Sequence, residues 1–176
     1  MKAMLRPDSR SSKIDNCLIE PLDVKTELYF PTLIYRAPLK PRPAALLREL
    51  EREAGILREI DRDGIDWSNE NYPRGFTTYG SMDRLHASSP IFAELQKNID
   101  RHVLKYAREQ KWDLEGGNLT MSNCWVNIMP PGATHSLHLH PLSVVSGSVY
   151  VSMPRGSSPI KFEDPRLDKF MAQPPR

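Results

Sequence analysis

Cysteine is almost missing from this chain. The two present, Cys17 and Cys124, are too few for the disulfide framework of a small secreted domain, so a reducing compartment is expected, with the cytoplasm as the location. Net charge is almost missing too. The 24 basic and 22 acidic residues leave +2, which provides no field to hold a polyanion, so no nucleic-acid or membrane-surface partner is expected. No apolar run approaches the roughly 18 residues a membrane span requires. The opening MKAMLRPDSRSSKIDN carries charge but lacks the apolar stretch of a secretory signal. Glycine is scarce, nine residues against 16 prolines. That excess of a residue without a backbone donor excludes a long helical bundle and favours short strands broken by turns.

What is present suffices for one domain. The 176 residues are 39% hydrophobic and 26% charged, ordinary values for a chain that buries a core. Residues 1–25 are polar and irregular and read as an N-terminal tail, leaving 26–176 as the domain. TELYFPTLIYRA, residues 26–37, reads as a strand with Pro31 at an edge or bulge. PLKPRP is a stiff connector, and its Pro43 fits the first turn of a helix. From Ala44 to about Asp63, Leu46, Leu47, Leu50, Ala54, Leu57 and Ile60 recur at three- and four-residue steps, one face of an amphipathic helix that Gly64 should end. A polar loop, IDWSNENYPR, leads to a short strand in GFTTYGSM. Ser88-Ser89-Pro90 then opens a second helix, about 90–110, whose buried face holds Ile91, Phe92, Leu95, Ile99, Val103 and Tyr106.

After Gly116-Gly117 the pattern changes. NLTMSNCWVNIMP, THSLHLH, SGSVYVSMP and SPIKFEDP are four strand-like runs separated by turn signals. The expected fold class is α+β: two helices packed on an antiparallel β half that forms a sandwich or small barrel.

Three of the five histidines fall within six residues, His135, His138 and His140. On a strand, residues two apart share a face about 6–7 Å apart, so His138 and His140 can converge on one metal. His135 has the opposite parity and is the weakest ligand candidate. The spacing does not name the metal, because imidazole suits zinc, iron, copper and nickel. A third ligand could come from Glu163, Asp164 or Asp168, although FEDPR also reads as a turn. His86 and His102 read as structural residues of the helical half.

Taken in order, Trp125 and Asn127, Gly132, His138-Leu139-His140-Pro141, Ser146-Gly147 with Tyr150, and Phe162 with Asp164-Pro165-Arg166 form a W-x-N, G, H-x-H-P, S-G-x-x-Y, F-x-D-P-R series. This series resembles the 2-oxoglutarate/Fe(II)-dependent oxygenases, in particular a bacterial branch related to the prolyl-hydroxylase-like enzymes. The resemblance runs from about Glu27 to Arg166. It implies a double-stranded β-helix (jelly-roll, cupin-like) core, an Fe(II) centre on its inner face, 2-oxoglutarate as cosubstrate, and hydroxylation of a C–H bond in a small-molecule or peptide substrate. His138 and His140 become the metal ligands, and Asn127 and Tyr150 the candidates for cosubstrate contacts. The plainer roles of those two are a bulge or turn for Asn127 and a core ring with its hydroxyl at the rim for Tyr150. Trp125 reads as core packing.

The series departs from the family pattern in two places. The carboxylate usual two residues after the first histidine is replaced by His140, and no histidine follows His140. A β-helix incomplete at its C-terminus is therefore expected, and its unpaired edges favour a homodimer. Two other functions fit part of the pattern. A cupin shares Gly132 and the His138-x-His140 spacing, but Val144 and Val145 stand where its glutamate belongs. A non-catalytic barrel serving as an interaction module needs no complete site.

Overall fold

In the computed structural model the described residues are 31–39 and 44–163. The chain divides between Ile34 and Tyr35 into two units, and every helix and strand among the described residues lies in the second. The expected tail (1–25), Pro43, and Asp164, Pro165, Arg166 and Asp168 lie outside the described residues. Of the expected strand 26–37, residues 31–37 carry no ladder, since a strand exists only through a partner and Pro31 offers no N–H.

Helix α1, Ala44–Ile60, forms where the leucines recur, and it buries Leu46, Leu50 and Leu57. Each such burial is worth about 1.5–3 kcal/mol, far more than the few tenths that separate helix propensities along this stretch. Gly64 does not end it. The break falls at Asp61, and α2 follows as Arg62–Asn71 with Gly64 in its first turn. Asp61 is the N-cap: its carboxylate accepts from Gly64 N at 3.0 Å and from Ser81 Oγ at 2.5 Å. Gly64 is required there because a Cβ would collide with that carboxylate. The expected polar loop is therefore half helix, started by a side-chain cap rather than by apolar periodicity.

Ser68 ties α2 to the next element, donating to Gly64 O at 2.6 Å and accepting from Thr77 N at 3.0 Å. Strand β1, Phe76–Thr77, lies in the expected GFTTYGSM run. A four-residue helix α3, Leu85–Ser88, then precedes α4, Pro90–Glu109, with Pro90 in the first turn. So short a helix does not hold itself. Leu85 is buried in the core, and its N–H donates to Cys124 O at 2.9 Å. From α4, Phe92 and Leu95 complete a core with Leu46, Leu50, Leu57, Phe76 and Leu85. Tyr35 packs on the outer side of α4, its hydroxyl 3.0 Å from His102 Nδ1.

Strand β2, Asn127–Ile128, pairs antiparallel with β1 in the register Phe76↔Ile128 and Thr77↔Asn127. The seam continues beyond the ladder: Thr78 N donates to Val126 O at 3.1 Å, Val126 N to Thr78 Oγ1 at 3.2 Å, and Cys124 N to Asp83 O at 2.7 Å. Cys124, Val126 and Ile128 pack against the core. Alternation therefore sets Trp125 and Asn127 on the opposite face.

Among the described residues these two strands are the whole sheet, so the expected double-stranded β-helix is not formed there. Of the four strand-like runs, only the first pairs among the described residues. The backbone bonds later in the chain close turns: Ala133 N to Pro130 O, Ser143 N to His140 O and Ser157 N to Pro154 O. Apolar side chains of these runs face water, Leu139 at 82% and Phe162 at 56% exposure. Their composition suits strands, but they have no ladder partner. No helix among the described residues is long and apolar enough to cross a membrane.

Candidate metal centre

The site begins at the turn after β2. Gly132 has φ +80, and a Cβ there would stand 2.6 Å from Arg74 Nη1. The turn thus needs glycine for its backbone and for the close approach of Arg74. Three residues on, the His135 ring lies 5.1 Å from that of Tyr72, a buried residue after α2. His135 stacks on His138 at 4.6 Å with 25° between the planes, and His138 meets His140 at 4.8 Å. Trp125 stacks on His140 at 5.9 Å and 22°. The β1–β2 seam therefore fixes Trp125, and Trp125 with Tyr72 brackets the three histidines.

Within this row, His138 Nε2 and His140 Nε2 stand 3.0 Å apart, and His138 Nδ1 lies 2.8 Å from Ser136 O. A carbonyl only accepts, so His138 carries its proton on Nδ1 and turns an Nε2 lone pair toward His140. Without a metal, His140 Nε2–H donates to that lone pair. The Ser136 bond is also the outer contact that fixes a metal-binding imidazole in its ligating tautomer.

The donor set can be tested against a metal. Two nitrogens, each about 2.0–2.1 Å from a metal and at right angles across it, are separated by about 2.9–3.0 Å, whereas tetrahedral ligands are about 3.3–3.4 Å apart. The observed 3.0 Å is the length of the His140 Nε2–H to His138 Nε2 hydrogen bond and is also short enough for both nitrogens to reach one ion, without selecting that ion's geometry. The pair fits as two ligands. Among the described residues no group of three or more histidine, cysteine or acidic side chains gathers to complete a site. Glu163 is exposed and pairs with Lys161 at 3.5 Å.

Of the other expected residues, Asn127 is exposed in β2, on the Trp125 face, and its side chain makes no hydrogen bond among the described residues. Tyr150 is 51% exposed, so it is not a core ring, and no ring contact joins it to the histidines. The structure brings together His138 and His140 and adds neither Asn127 nor Tyr150 to them by direct contact. It adds three residues, one that sequence reasoning ranked last as a ligand and two to which it gave no part in the site. His135, set aside on strand parity, lies in the row because the segment is not a strand. Trp125 is half-buried and backs His140. Tyr72 covers His135, and the only sequence signal for it was one of two aromatic residues in a mostly polar loop.

Loss of solvent around its ring, and next the neighbouring His138, hold His135 below the ordinary imidazole value, while the Ser136 backbone bond opposes them. A histidine whose charged form is disfavoured in the folded state stabilises the fold above its unfolded value of about 6.5. That contribution is lost as pH falls through the lower folded value. His135→Gln should accordingly flatten the acid side of the stability–pH curve measured by urea denaturation. Cys124 is a free thiol. Burial pushes it up, with only the His86 backbone hydrogen bond opposing, so it stays protonated and offers no thiolate ligand.

A pair of adjacent imidazoles on an irregular segment, with one tautomer fixed from behind, offers two nitrogen donors of the kind a non-haem metal takes. The comparison with known families points the same way. Residues 123–176 match the family model described as "Putative 2OG-Fe(II) oxygenase". The matched segment contains β2, Trp125 and all three clustered histidines, and the match supports the 2-oxoglutarate/Fe(II) oxygenase superfamily for this C-terminal part. That family implies Fe(II) and 2-oxoglutarate. No curated protein matches the chain.

Proposed function

We propose that the chain acts as an Fe(II)/2-oxoglutarate-dependent oxygenase, a hydroxylase of the bacterial, prolyl-hydroxylase-like branch, with His138 and His140 as two of the iron ligands. The observation that carries this reading is the 3.0 Å separation of the two Nε2 atoms. Iron and 2-oxoglutarate, when bound, supply the oxidising chemistry. The chain's own residues do the rest. The Ser136 carbonyl keeps His138 Nε2 unprotonated, and Trp125 holds the His140 ring in place from its far face. Asn127 lies on the face of β2 that Trp125 presents to the histidines, which suits a polar contact to the cosubstrate. Tyr150 has an exposed ring able to serve the same end. The matching family supports a jelly-roll for this segment.

Anaerobic addition of Fe(II) and 2-oxoglutarate to the purified protein should produce a visible charge-transfer absorption that neither component gives alone. Well-folded protein showing no such band at saturating Fe(II) would overturn the reading. A non-catalytic interaction module is the second reading, favoured by one observation: no third ligand joins the pair among the described residues. The same titration decides between the two.

A further inference from the structure

The turn between α2 and β1 carries a residue that its backbone disfavours. Gly75 N donates to Tyr72 O at 2.9 Å, closing a turn over Tyr72-Pro73-Arg74-Gly75. Proline suits the second position, and a positive φ at the third calls for glycine or asparagine. Arginine stands there instead, at φ +67. The glycine beside it is committed elsewhere, since a Cβ at Gly75 would stand 2.6 Å from Cε1 of the Tyr72 ring. A left-handed backbone costs energy for any residue with a Cβ, so the arginine side chain is kept against local preference.

That side chain is also seated. The Arg74 guanidinium lies so close to Gly132 that a Cβ there would meet Nη1 at 2.6 Å and Cζ at 3.1 Å. The seat supplies no opposite charge. Arg74 is exposed, and among the described residues no carboxylate pairs with it and no acceptor takes its N–H groups. An arginine fork presents two parallel donors, which match the two oxygens of a carboxylate; a phosphate has further oxygens that one fork leaves unpaired. Exposed ion pairs are ordinarily weak because both side chains must be ordered. Here the turn and the glycine seat have already ordered one of them.

We propose that Arg74 anchors the carboxylate of a small organic acid beside the histidine row, which makes a carboxylic acid the substrate class of the site. The row runs through the rings of Tyr72, His135, His138, His140 and Trp125. Asn127, the candidate for the cosubstrate, shares the Trp125 face at one end. Arg74 belongs to the other end, two residues from Tyr72 and against the turn three residues before His135. The carboxylate at Arg74 is therefore the substrate's. That assignment rests on the oxygenase reading; the anchor itself does not.

Metal-free, full-length protein is titrated with propionate at constant ionic strength and followed by proton–nitrogen NMR at the Gly132 amide and the Arg74 Nε–H. Both signals should shift saturably. Propionamide, of the same shape without the charge, should leave them in place, and inorganic phosphate should bind more weakly than propionate. No saturable shift with propionate would overturn the anchor, and phosphate binding as tightly would overturn the carboxylic-acid class. Arg74→Gln should weaken propionate at least about 10-fold, the least that a hydrogen bond between charged groups contributes. Arg74→Gly separates an anchor from a structural brace. Glycine suits this φ, so the urea midpoint should rise while propionate binding is lost. A lower midpoint would mean that the guanidinium braces the two turns, and would overturn the proposal. In protein loaded with Fe(II) and 2-oxoglutarate, propionate should leave the charge-transfer band in place. A band displaced by propionate would put the cosubstrate on Arg74 and overturn the substrate assignment. No band at all, with propionate still bound, would overturn the oxygenase reading and leave the anchor standing.

Discussion

Replacing His138 with alanine is expected to weaken Fe(II) binding at least about 100-fold in an anaerobic titration, because loss of an outer-shell partner alone typically costs about 10–100-fold and this change removes a ligand. The loss should be specific. His138 is exposed and contributes no core packing, so unfolding free energy should move by no more than about 0.5 kcal/mol. A variant that folds normally and keeps its Fe(II) affinity would show that the metal, if it binds, binds elsewhere.

His140→Ala should produce a similar loss, and a second substitution at the same position separates ligation from mere proximity. Position 140 is where the resemblance to 2-oxoglutarate oxygenases places a carboxylate. His140→Asp should therefore retain Fe(II) binding: it restores an oxygen ligand and adds a negative charge beside a cation. His140→Asn keeps the approximate size without the charge and should bind more weakly than the aspartate. If aspartate and alanine behave alike at position 140, the site needs an imidazole for a reason other than coordination, such as the stack on Trp125. Falling pH should weaken binding in every variant that retains His138, because a proton and a metal compete for the same nitrogen lone pair.

The helical half was legible because burial dominates it. Leu46, Leu50 and Leu57 on α1 and Phe92 and Leu95 on α4 stand at helical spacing and are buried, and Pro90 opens α4. What escaped was set by single side chains. Asp61 breaks α1 from α2 by capping with its carboxylate, an event invisible to periodicity, and Gly64 looked like a stop signal although it makes room for the cap. Long-range pairing escaped as well. Phe76 and Ile128 are partners across some fifty residues, and neither sequence names the other. After Ile128 the strand-like runs were read from composition, but composition provides only half of a strand, and the described chain offers no other half. The same error misplaced His135. Parity separates it from His138 only on a strand; on this irregular segment the two rings stack. The H-x-H spacing of His138 and His140 does not depend on that assumption, and those side chains meet.

Gly64→Ala tests the hinge between α1 and α2, and intrinsic propensity predicts the wrong sign for it. Within a helix, alanine is favoured over glycine by about 1 kcal/mol, so position 64 looks like a site for stabilisation. The structure opposes this. The new methyl would overlap the Asp61 carboxylate and stand 2.9 Å from Ser81 Oγ, and Asp61 is buried. Relieving the overlap means moving the carboxylate off Gly64 N, which forfeits an N-cap worth about 1 kcal/mol, or accepting overpacking of about 1–3 kcal/mol. Net destabilisation of up to about 2 kcal/mol is therefore expected in urea denaturation, once the propensity gain is set against these costs. The double variant identifies the cause. In an Asp61→Ala background the cap is already lost and most of the collision disappears, so adding Gly64→Ala should then be close to neutral or stabilising. Equal costs in the two backgrounds would mean that Ser81, rather than the Asp61 cap, sets the requirement for glycine.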